Sequence, residues 1–374
     1  MRFVATEQAT EGSRLAMNLF GGRSGTVTLL RAGVALDSRY RRALIDAGIS
    51  RVLVTDAESD GITVTTQLSE ETRREATFRL APVLELTQHV IARGGRVSFD
   101  SVATASAVAA LVSDEVLDTP DGVVTFADGF GPNGYPVQHP IDVTVLGLLI
   151  ARRLFAEHGR IAAGGVRTTT GTDDALRRLS FGLLLHDLGA ADGPDAMRLT
   201  GGALEEDTLE ALSAHPQLGQ DALPWSFVSA HAAAAIRCHR ERWDGTGPQA
   251  LAGEQIPQFA RIAAVADTYD ALTSERAGHT PEPSHVAVEA IMWASGTLFD
   301  PEVVDVFREV VAPFPPGTEV TLSDGSAGVV TEVPTAALHR PVVRLLRDAA
   351  GARLEPVEIV IGGGQAGLSI VAAA

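Results

Sequence analysis

The run from Leu183 to Gly189 carries the first residues of this chain that could do chemistry. It is apolar up to an adjacent pair, His186 and Asp187, and a glycine follows shortly after. Such a run predicts a buried helix that ends at a metal site, because imidazole nitrogen and carboxylate oxygen bind the same borderline divalent ions. Taken alone, a His-Asp pair is more often structural, with backbone partners for its polar atoms. The metal interpretation therefore depends on the other ligands that the chain supplies.

Other nitrogen and carboxylate side chains occur near the ends, or on one face, of neighbouring predicted helices. With the pair they form six candidate metal ligands: His139, His186, Asp187, His215, His239 and Asp267. Apolar helices that bring such ligands together build a two-metal centre in the core of a bundle. Two ions held about 3.5 to 4 Å apart can generate a hydroxide at neutral pH and neutralise the charge of a phosphodiester in its transition state. Asp187 has two carboxylate oxygens, so it is the candidate that would bridge the ions and be the central catalytic residue.

The middle of the chain is all-helical by its apolar periodicity. Its predicted helices each carry candidate ligands: residues 141–155 with His139 at the entrance, 174–187 with the His-Asp pair, a helix from near Glu205 to His215, a helix from near Trp225 to His239, and 260–272 with Asp267 and Asp270 on one surface. Residues 141–155 are apolar on nearly all sides, which predicts a helix in the centre of the core. Residues 159–173, rich in Gly and Thr, are predicted to be an exposed, mobile loop.

The patterns divide the chain into four predicted parts. They are a small α/β module over residues 1–65, a helical connector over 66–134, the metal-binding helical domain over 135–312 and a small β-sheet or barrel over 313–374. Asp37 and Ser69 are expected to cap the main helices of the first two parts, and an Asp324-Gly325 turn predicts a hairpin in the last. The expected fold is multidomain, with a central all-α bundle between an α/β module and a β module.

The composition limits the partners of the protein. The chain has 374 residues and a formal charge of −17, so a nucleic-acid polymer or an anionic membrane would be repelled by most of its surface. An anionic substrate would need local cations, either metal ions or placed arginines. The single cysteine, Cys238, excludes intrachain disulfides, and the sequence has neither a signal-peptide core nor an apolar run of about 18 residues. We therefore expect a cytoplasmic protein without a membrane partner.

The order of several short motifs resembles the HD-GYP family, a branch of the HD-domain phosphohydrolases. The motifs cover about residues 135 to 310 and are, in order, His139; His186-Asp187-Leu188-Gly189; His215-Pro216 followed by Gly219; the run from His239 to Pro248; Ala260-Arg261-Ile262; the run from Ala266 to Leu272; and the run from Leu298 to Glu302. One motif could arise by chance, but this many in the same order would not be expected to. The flanking modules also resemble those often found around such domains.

The resemblance implies a helical HD-type domain with two or three metal ions, often iron or manganese, that hydrolyses the bacterial second messenger cyclic di-GMP to pGpG or GMP. Carried over by motif, the ligands of the first ion would be His139, His186, Asp187 and Asp267, and those of the second would be Asp187, His215 and His239. Arg261 lies where the family has a phosphate-contacting cation, and Asp244 and Gly245 belong to a loop near the substrate.

Four positions depart from the family pattern. The second His of the usual His-His-Glu is Arg240, and the Glu four residues before the first ligand is Tyr135. Both absences concern a third metal, so the resemblance implies two divalent ions, with iron or manganese expected. The lysine after the His-Asp pair is Ala190, and the Gly-Tyr-Pro signature is shortened to Gly247-Pro248. Since a cation facing two metal ions would be repelled, Arg240 is expected to turn outward into solvent or to bind the substrate phosphate.

Three functions follow from these motifs. The preferred one is a phosphodiesterase that hydrolyses cyclic di-GMP, or a related cyclic dinucleotide, with a hydroxide activated by two metals. The second is a degenerate family member that binds a nucleotide or a partner protein without catalysis, since Ala190, Arg240 and the missing Tyr all alter the substrate side. The third is an HD phosphohydrolase of another nucleotide. The same interpretation leaves a homodimer open.

Overall fold

The computed structural model describes most of the chain. The described residues are 1–21, 27–119, 134–162, 164–190, 197–200, 203–206, 209–224, 228–276, 279–362 and 367–373. Within these ranges every helix is too short or too polar to cross a membrane.

Most of the described helices lie between residues 70 and 310. They are α1 (Ser38–Asp46), α2 (Glu70–Ile91), α3 (Phe99–Asp118), α4 (Tyr135–Glu157), α5 (Thr172–Leu184), α6 (Leu209–Ala222), α7 (Ala230–Cys238), α8 (Gln258–Thr273), α9 (Ser284–Trp293) and α10 (Pro301–Val310). Both predicted caps are confirmed. The Asp37 side chain accepts hydrogen bonds from two backbone N–H groups at the start of α1, and the Ser69 hydroxyl accepts one from Thr72 at the start of α2.

Helix α4 runs through the centre of the main core. It packs against α2, α3, α5, α8 and α10, and its apolar side chains are buried on every side, as its sequence predicted. Gly147 allows α5 to approach closely, because a Cβ atom there would lie 2.5 Å from Leu183 Cδ1. The first turn of α4 and the end of α5 both carry candidate ligands, so this approach helps to bring those ligands together.

The described strands form small antiparallel sheets. They are β1 (Arg2–Ala5), β2 (Arg14–Leu15), β3 (Leu19–Gly21), β4 (Val27–Leu30), β5 (Arg51–Thr55), β6 (Arg160–Ile161), β7 (Arg167–Thr168), β8 (Met197–Thr200), β9 (Ala203–Glu206), β10 (Glu319–Leu322), β11 (Ala327–Glu332), β12 (Val342–Arg347), β13 (Arg353–Val360) and β14 (Ile370–Ala373). The N-terminal sheet has the order β1-β5-β2, and the C-terminal sheet has the order β13-β12-β11-β10-β14. The C-terminal sheet is an open one over the described residues.

Two hairpins lie within the region that was predicted to be all-helical. Strand β6 pairs with β7 inside the predicted loop 159–173, where Gly164 and Gly165 have φ angles of 86° and 78° that favour glycine. Strand β8 pairs with β9, and α6 begins at Leu209, so the helix predicted to start near Glu205 was wrong. A short apolar run cannot be assigned to helix or strand by periodicity alone. The start predicted near Trp225 lies outside the described residues.

The terminal modules have their own small cores and contact each other. One core lies under β1, β2, β5 and α1, and the other lies under the C-terminal sheet. Arg2 of β1 forms ion pairs with Asp56 (2.7 Å) and Glu58 (3.0 Å), and a third with Glu319 of β10. The Phe3 N–H donates a hydrogen bond to the Gly317 carbonyl (2.9 Å). The expected helical domain between N-terminal strands and a C-terminal antiparallel sheet is confirmed.

Helices α2 and α3 share the main core with the helices that follow them. The buried Arg73 of α2 pairs with Asp142 of α4 at 2.6 Å and donates to Gln138 (3.1 Å), whose amide donates to Thr77 (2.8 Å). The core is therefore continuous across residue 134, where we placed the end of a connector. The bounds of the four parts stay a prediction.

The core predicts unequal effects for two phenylalanines. Phe155 of α4 is 1% exposed and stacks on Phe259, whereas Phe78 of α2 is 67% exposed. We expect Phe155→Ala to lower the free energy of unfolding by about 3 to 5 kcal/mol, because it leaves a cavity in a close-packed core. The matched control, Phe78→Ala, should change it by less than about 0.5 kcal/mol. Denaturant unfolding followed by circular dichroism measures both, and equal losses would contradict this account of the core.

Candidate metal centre

His139 projects from the first turn of α4 into the centre of the bundle. Its side chain is 1% exposed. The Nδ1 atom donates a hydrogen bond to Asp270 Oδ2 at 2.6 Å, and the Tyr135 hydroxyl lies 3.2 Å from the same nitrogen. An ionised carboxylate can only accept, so Nδ1 carries a proton, and Nε2 presents its lone pair when the ring is neutral.

His186 and Asp187 lie in the turn after α5, and the prediction that the helix reaches Asp187 was wrong. The helix ends at Leu184, since Leu185 leaves helical geometry with φ −115° and ψ 12°. The His186 Nδ1 atom donates to the Leu183 carbonyl at 2.7 Å, which again leaves Nε2 as an acceptor. Both side chains of the pair face the same buried cluster. On a regular helix, neighbouring side chains point about 100° apart and would face one cluster less readily.

The remaining candidates come from three other helices. His215 lies within α6, His239 directly follows α7, and Asp267 lies on α8. The His239 Nδ1 atom donates to the Ile236 carbonyl at 2.9 Å. Gly189 lets the turn after the His-Asp pair touch α6, because a Cβ atom at Gly189 would lie 2.0 Å from the His215 carbonyl oxygen.

Two groups of candidate atoms meet at Asp187. The first ligand group is His139, His186, Asp187 and Asp267, and the second ligand group is Asp187, His215 and His239; within each group the candidate atoms lie within 4.8 Å of one another. Asp187 Oδ2 lies 3.5 Å from His139 Nε2 and 3.6 Å from His186 Nε2. Asp187 Oδ1 lies 3.1 Å from His215 Nε2 and 3.4 Å from His239 Nε2. Each oxygen of one carboxylate therefore faces a different group, as a bridging ligand would.

The arrangement of lone pairs fits a cation in the first group. The Nε2 atoms of His139 and His186 are 3.2 Å apart, and both rings use Nδ1–H as a donor. Burial would lower the pKa of His139, but Tyr135 and the surrounding carboxylates hold it well above its ordinary value. The cluster therefore favours a positive charge, from a proton or a metal ion, at this nitrogen. Over the described residues, neither oxygen of Asp187 has a hydrogen bond of ordinary geometry. Ligands about 2.1 Å from a shared ion are roughly 3.0 to 3.4 Å apart, close to the separations found here. The donor set therefore fits a divalent metal ion.

The protonation states of Asp187, Asp267 and His239 suit metal binding. Burial alone would raise the pKa of Asp187, but the surrounding imidazoles hold it well below its usual range. Burial would likewise raise the pKa of Asp267, and the Arg240 guanidinium with two of the imidazoles holds it low. Burial lowers the pKa of His239 to about 4, so that ring is neutral at neutral pH. Ionised carboxylates and neutral imidazoles are the forms that bind metal.

Arg240 faces the cluster, so the outward, solvated orientation expected for it was wrong. It is 5% exposed, and its Nη2 atom lies 3.5 Å from Asp267 Oδ2 and 3.8 Å from Asp187 Oδ1. The attraction of the two carboxylates accounts for the inward orientation of the guanidinium.

The other three substrate-binding candidates have mainly structural contacts. Arg261 is buried, pairs with Asp300 at 2.6 Å and lies against the Trp243 ring. Asp244 is exposed and accepts hydrogen bonds from the backbone and hydroxyl of Thr246, and Gly245 turns the chain with φ 85°. Their roles toward a substrate stay a prediction, as do the metal-binding roles of the six ligands.

Two further features were not assigned a role from the sequence. Asp270, which supports His139, was placed beside Asp267 only as a helix neighbour; its spacing of three residues on a helix is the signal that could have suggested a partner. Glu241 accepts from the backbone N–H groups of Gln249 (2.7 Å) and Leu251 (3.0 Å). It therefore holds the loop that contains Gly247, where a Cβ atom would lie 2.7 Å from Glu241 Cα.

Comparison with known proteins relates this chain to HD-domain proteins. Residues 151–303 match the model of the HD domain, and residues 319–361 match a KOW domain associated with HD domains. The chain is 38% identical over 156 residues to the cyclic di-GMP phosphodiesterase response regulator RpfG of Xanthomonas campestris, which is 40% of this chain and 41% of that one. It is 31% identical over 251 residues to a cyclic di-GMP phosphodiesterase of Pseudomonas aeruginosa, covering 67% and 57%.

More distant similarities extend the comparison. A 3'3'-cGAMP-specific phosphodiesterase of Vibrio cholerae is 33% identical over 33% of this chain and 24% of its own. Among solved structures, the HDG"Y"P protein Bd1817 of Bdellovibrio bacteriovorus overlaps with a TM-score of 0.44 at 14% identity, over 82% of this chain and 98% of that one. The chain spans about half the length of the first two relatives. Residues 151–303 match the HD domain, and the resemblance of this chain to the HD-GYP branch is confirmed.

The contact at Gly189 predicts how strongly the turn after α5 depends on glycine. Gly189→Ala places a methyl group 2.0 Å from the His215 carbonyl and 2.6 Å from the Gly219 nitrogen, so the turn and α6 must separate. We expect a clearly lower Tm and less divalent metal per chain, measured by thermal unfolding and elemental analysis. In the control, Gly219→Ala, the nearest atom lies at 3.1 Å and the effect should be smaller. A Gly189→Ala protein as stable and as metal-rich as wild type would contradict this role.

Proposed function

We propose that this protein is a metal-dependent phosphodiesterase that hydrolyses cyclic di-GMP, or a related cyclic dinucleotide, to pGpG or GMP. The observation that carries the proposal is the meeting of the His139 and His186 lone pairs at 3.2 Å beside Asp187 and Asp267. Two imidazoles and two carboxylates that face one another in a buried core require a positive charge between them. A divalent cation supplies that charge.

We assign two ions to the centre, with iron or manganese expected. The first ligand group would hold one ion and the second ligand group the other, with Asp187 between them. When bound, such ions lower the pKa of water toward neutrality and neutralise charge on a phosphodiester. The chain itself supplies rigid orientation, because each donating ring nitrogen of His139, His186 and His239 is held by a carboxylate or a carbonyl.

The surroundings of Asp187 support a role in hydrolysis. A cavity of about 30 Å³ adjoins Asp187 and His139 and is closed by Leu84 and Gln88 of α2, which is room for about one water molecule. Ala190 lines the same cavity, so the position of the family's lysine is an apolar wall. In this proposal the general acid for the leaving oxygen is therefore a group other than residue 190.

Positive side chains support binding of an anionic substrate. Arg240 carries a fixed charge against the two ligand carboxylates, and we propose that it also attracts the substrate phosphate. Arg261 would act through its Asp300 pair and the Trp243 ring, which lies at the start of the loop with Asp244 and Gly245. The relatives named as cyclic di-GMP and 3'3'-cGAMP phosphodiesterases support a cyclic dinucleotide as the substrate.

Arg240 also favours a second candidate function. A buried guanidinium 3.5 to 3.8 Å from Asp267 and Asp187 offsets part of the negative charge that metal ions would otherwise neutralise. A centre of that kind could remain folded without ions and bind a nucleotide or a partner protein without hydrolysis. The metal content of the purified protein separates the two candidates.

The proposal predicts a specific effect of Asp187. Wild-type protein loaded with Mn²⁺ or Fe²⁺ should contain about two ions per chain by elemental analysis and should convert cyclic di-GMP or 3'3'-cGAMP to linear products. Asp187→Asn replaces one of the two oxygens with an amide nitrogen and removes the negative charge, so the side chain can no longer serve both groups; hydrolysis should fall below detection and metal content should drop. The control is Asp305→Asn on the exposed face of α10, which should leave both unchanged. Full metal occupancy without turnover of any cyclic dinucleotide would contradict the phosphodiesterase, and a folded wild-type protein that binds no metal would favour the second candidate.

Removal of metal should also destabilise the fold. A ligand that binds only the native state, present at about 100 times its Kd, stabilises it by about 2.7 kcal/mol. We therefore expect a chelator to lower the Tm of the loaded wild-type protein and to leave the Tm of Asp187→Asn almost unchanged. An equal loss of Tm in both proteins would mean that the chelator acts elsewhere.

A further inference from the structure

The two ligand groups differ in how their histidines are supported. In the first group both rings have a buried acceptor on the far nitrogen, namely Asp270 for His139 (2.6 Å) and the Leu183 carbonyl for His186 (2.7 Å). In the second group His239 has the Ile236 carbonyl at 2.9 Å. The His215 Nδ1 atom is buried and, within the described part of the chain, has no hydrogen-bond partner.

Asp270 is positioned to act on His139 alone. It is 1% exposed and lies on α8, three residues after Asp267. Its Oδ2 atom accepts from His139, and its Oδ1 atom accepts from the Ser274 hydroxyl at 3.0 Å, so the carboxylate is held at both ends. A carboxylate behind a ligating imidazole fixes the tautomer and makes the metal-facing nitrogen a stronger donor.

In the second group, among the described residues, only His239 has such an acceptor behind its ring. With no acceptor at Nδ1 among the described residues, His215 can carry its proton on Nε2 and donate it to His239 Nε2 or to Asp187 Oδ1, each 3.1 Å away. An ion entering the second group would then first require a change of tautomer. This group also has three candidate ligands and one carboxylate, Asp187, which it shares, whereas the first group has four ligands and two carboxylates.

We propose that the two sites fill in order, with the first ligand group binding its divalent ion more tightly and the second ligand group holding a weaker, exchangeable ion. Asp270 is the positioning residue that sets this order through His139. The inference rests on the proposed function only in requiring that divalent ions bind these two groups. It makes a statement about affinity that does not depend on which substrate is hydrolysed.

The test is a titration of metal-free full-length protein with Mn²⁺, in which free Mn²⁺ is followed by electron paramagnetic resonance. Wild-type protein is expected to bind in two resolved steps. In Asp270→Asn the first step should weaken by about 10- to 100-fold, the usual effect of removing such a partner, while the second step keeps its wild-type affinity. The unchanged second step also reports that the fold is intact. Asp305→Asn, on an exposed face, is the matched control and should reproduce both wild-type steps.

A milder variant covers the case in which Asp270→Asn does not fold. Ser274→Ala removes one hydrogen bond to the Asp270 carboxylate and should weaken the first step by a smaller factor. The proposal is overturned if wild-type protein binds both ions with one affinity. It is also overturned if the folded Asp270→Asn, or Ser274→Ala in its place, leaves the first step unchanged or weakens both steps equally.

The outcome separates this inference from the proposed function. Two resolved steps without hydrolysis of any cyclic dinucleotide would retain the loading order and reject the phosphodiesterase. Hydrolysis with a single binding step would retain the phosphodiesterase and reject the loading order.

Discussion

Four imidazole nitrogens and two carboxylates converge inside an apolar core, where unpaired polar atoms are costly. The rest of the helical domain is arranged around this constraint. Helix α4 is buried on every side and holds His139, the end of α5 at Leu184 turns both members of the His-Asp pair inward, and Gly189 lets the turn touch α6. Each ligand is thereby held by packed backbone, so a bound ion would meet an arrangement that needs little reorganisation.

The departures from the family pattern lie close to the six candidate ligands. Arg240 brings a guanidinium to the carboxylates, and Ala190 makes one wall of the adjoining cavity apolar. Tyr135 contributes a hydroxyl 3.2 Å from the His139 ring. These side chains alter charge and hydrogen bonding around the six candidate ligands while the ligands themselves are all present. These three side chains therefore bear on which phosphate ester the proposed two-metal centre accepts.

Much of the fold could be predicted because its local signals agree with its tertiary packing. The caps at Asp37 and Ser69, the central helix α4 and the C-terminal hairpin were predicted from residue types that act over a few positions. Predictions that were wrong concern short segments: the hairpins β6–β7 and β8–β9, and the start of α6. Strand pairing over two to four residues depends on partners that periodicity cannot identify.

The sequence by itself determined which side chains are available to the centre and in what order, since His139, the His-Asp pair, His215, His239 and Asp267 can be read directly. Only the tertiary structure decided which atoms each ring nitrogen and carboxylate oxygen of these ligands faces. The support of His139 by Asp270 and the contact of Arg240 with Asp267 join segments far apart in the chain. The end of α5 at Leu184 and the lack of a partner for His215 Nδ1 among the described residues are also visible only in the folded chain. Whether a hydrogen bond forms depends on donor–acceptor distances to within a few tenths of an ångström, and such distances are set by the packed core.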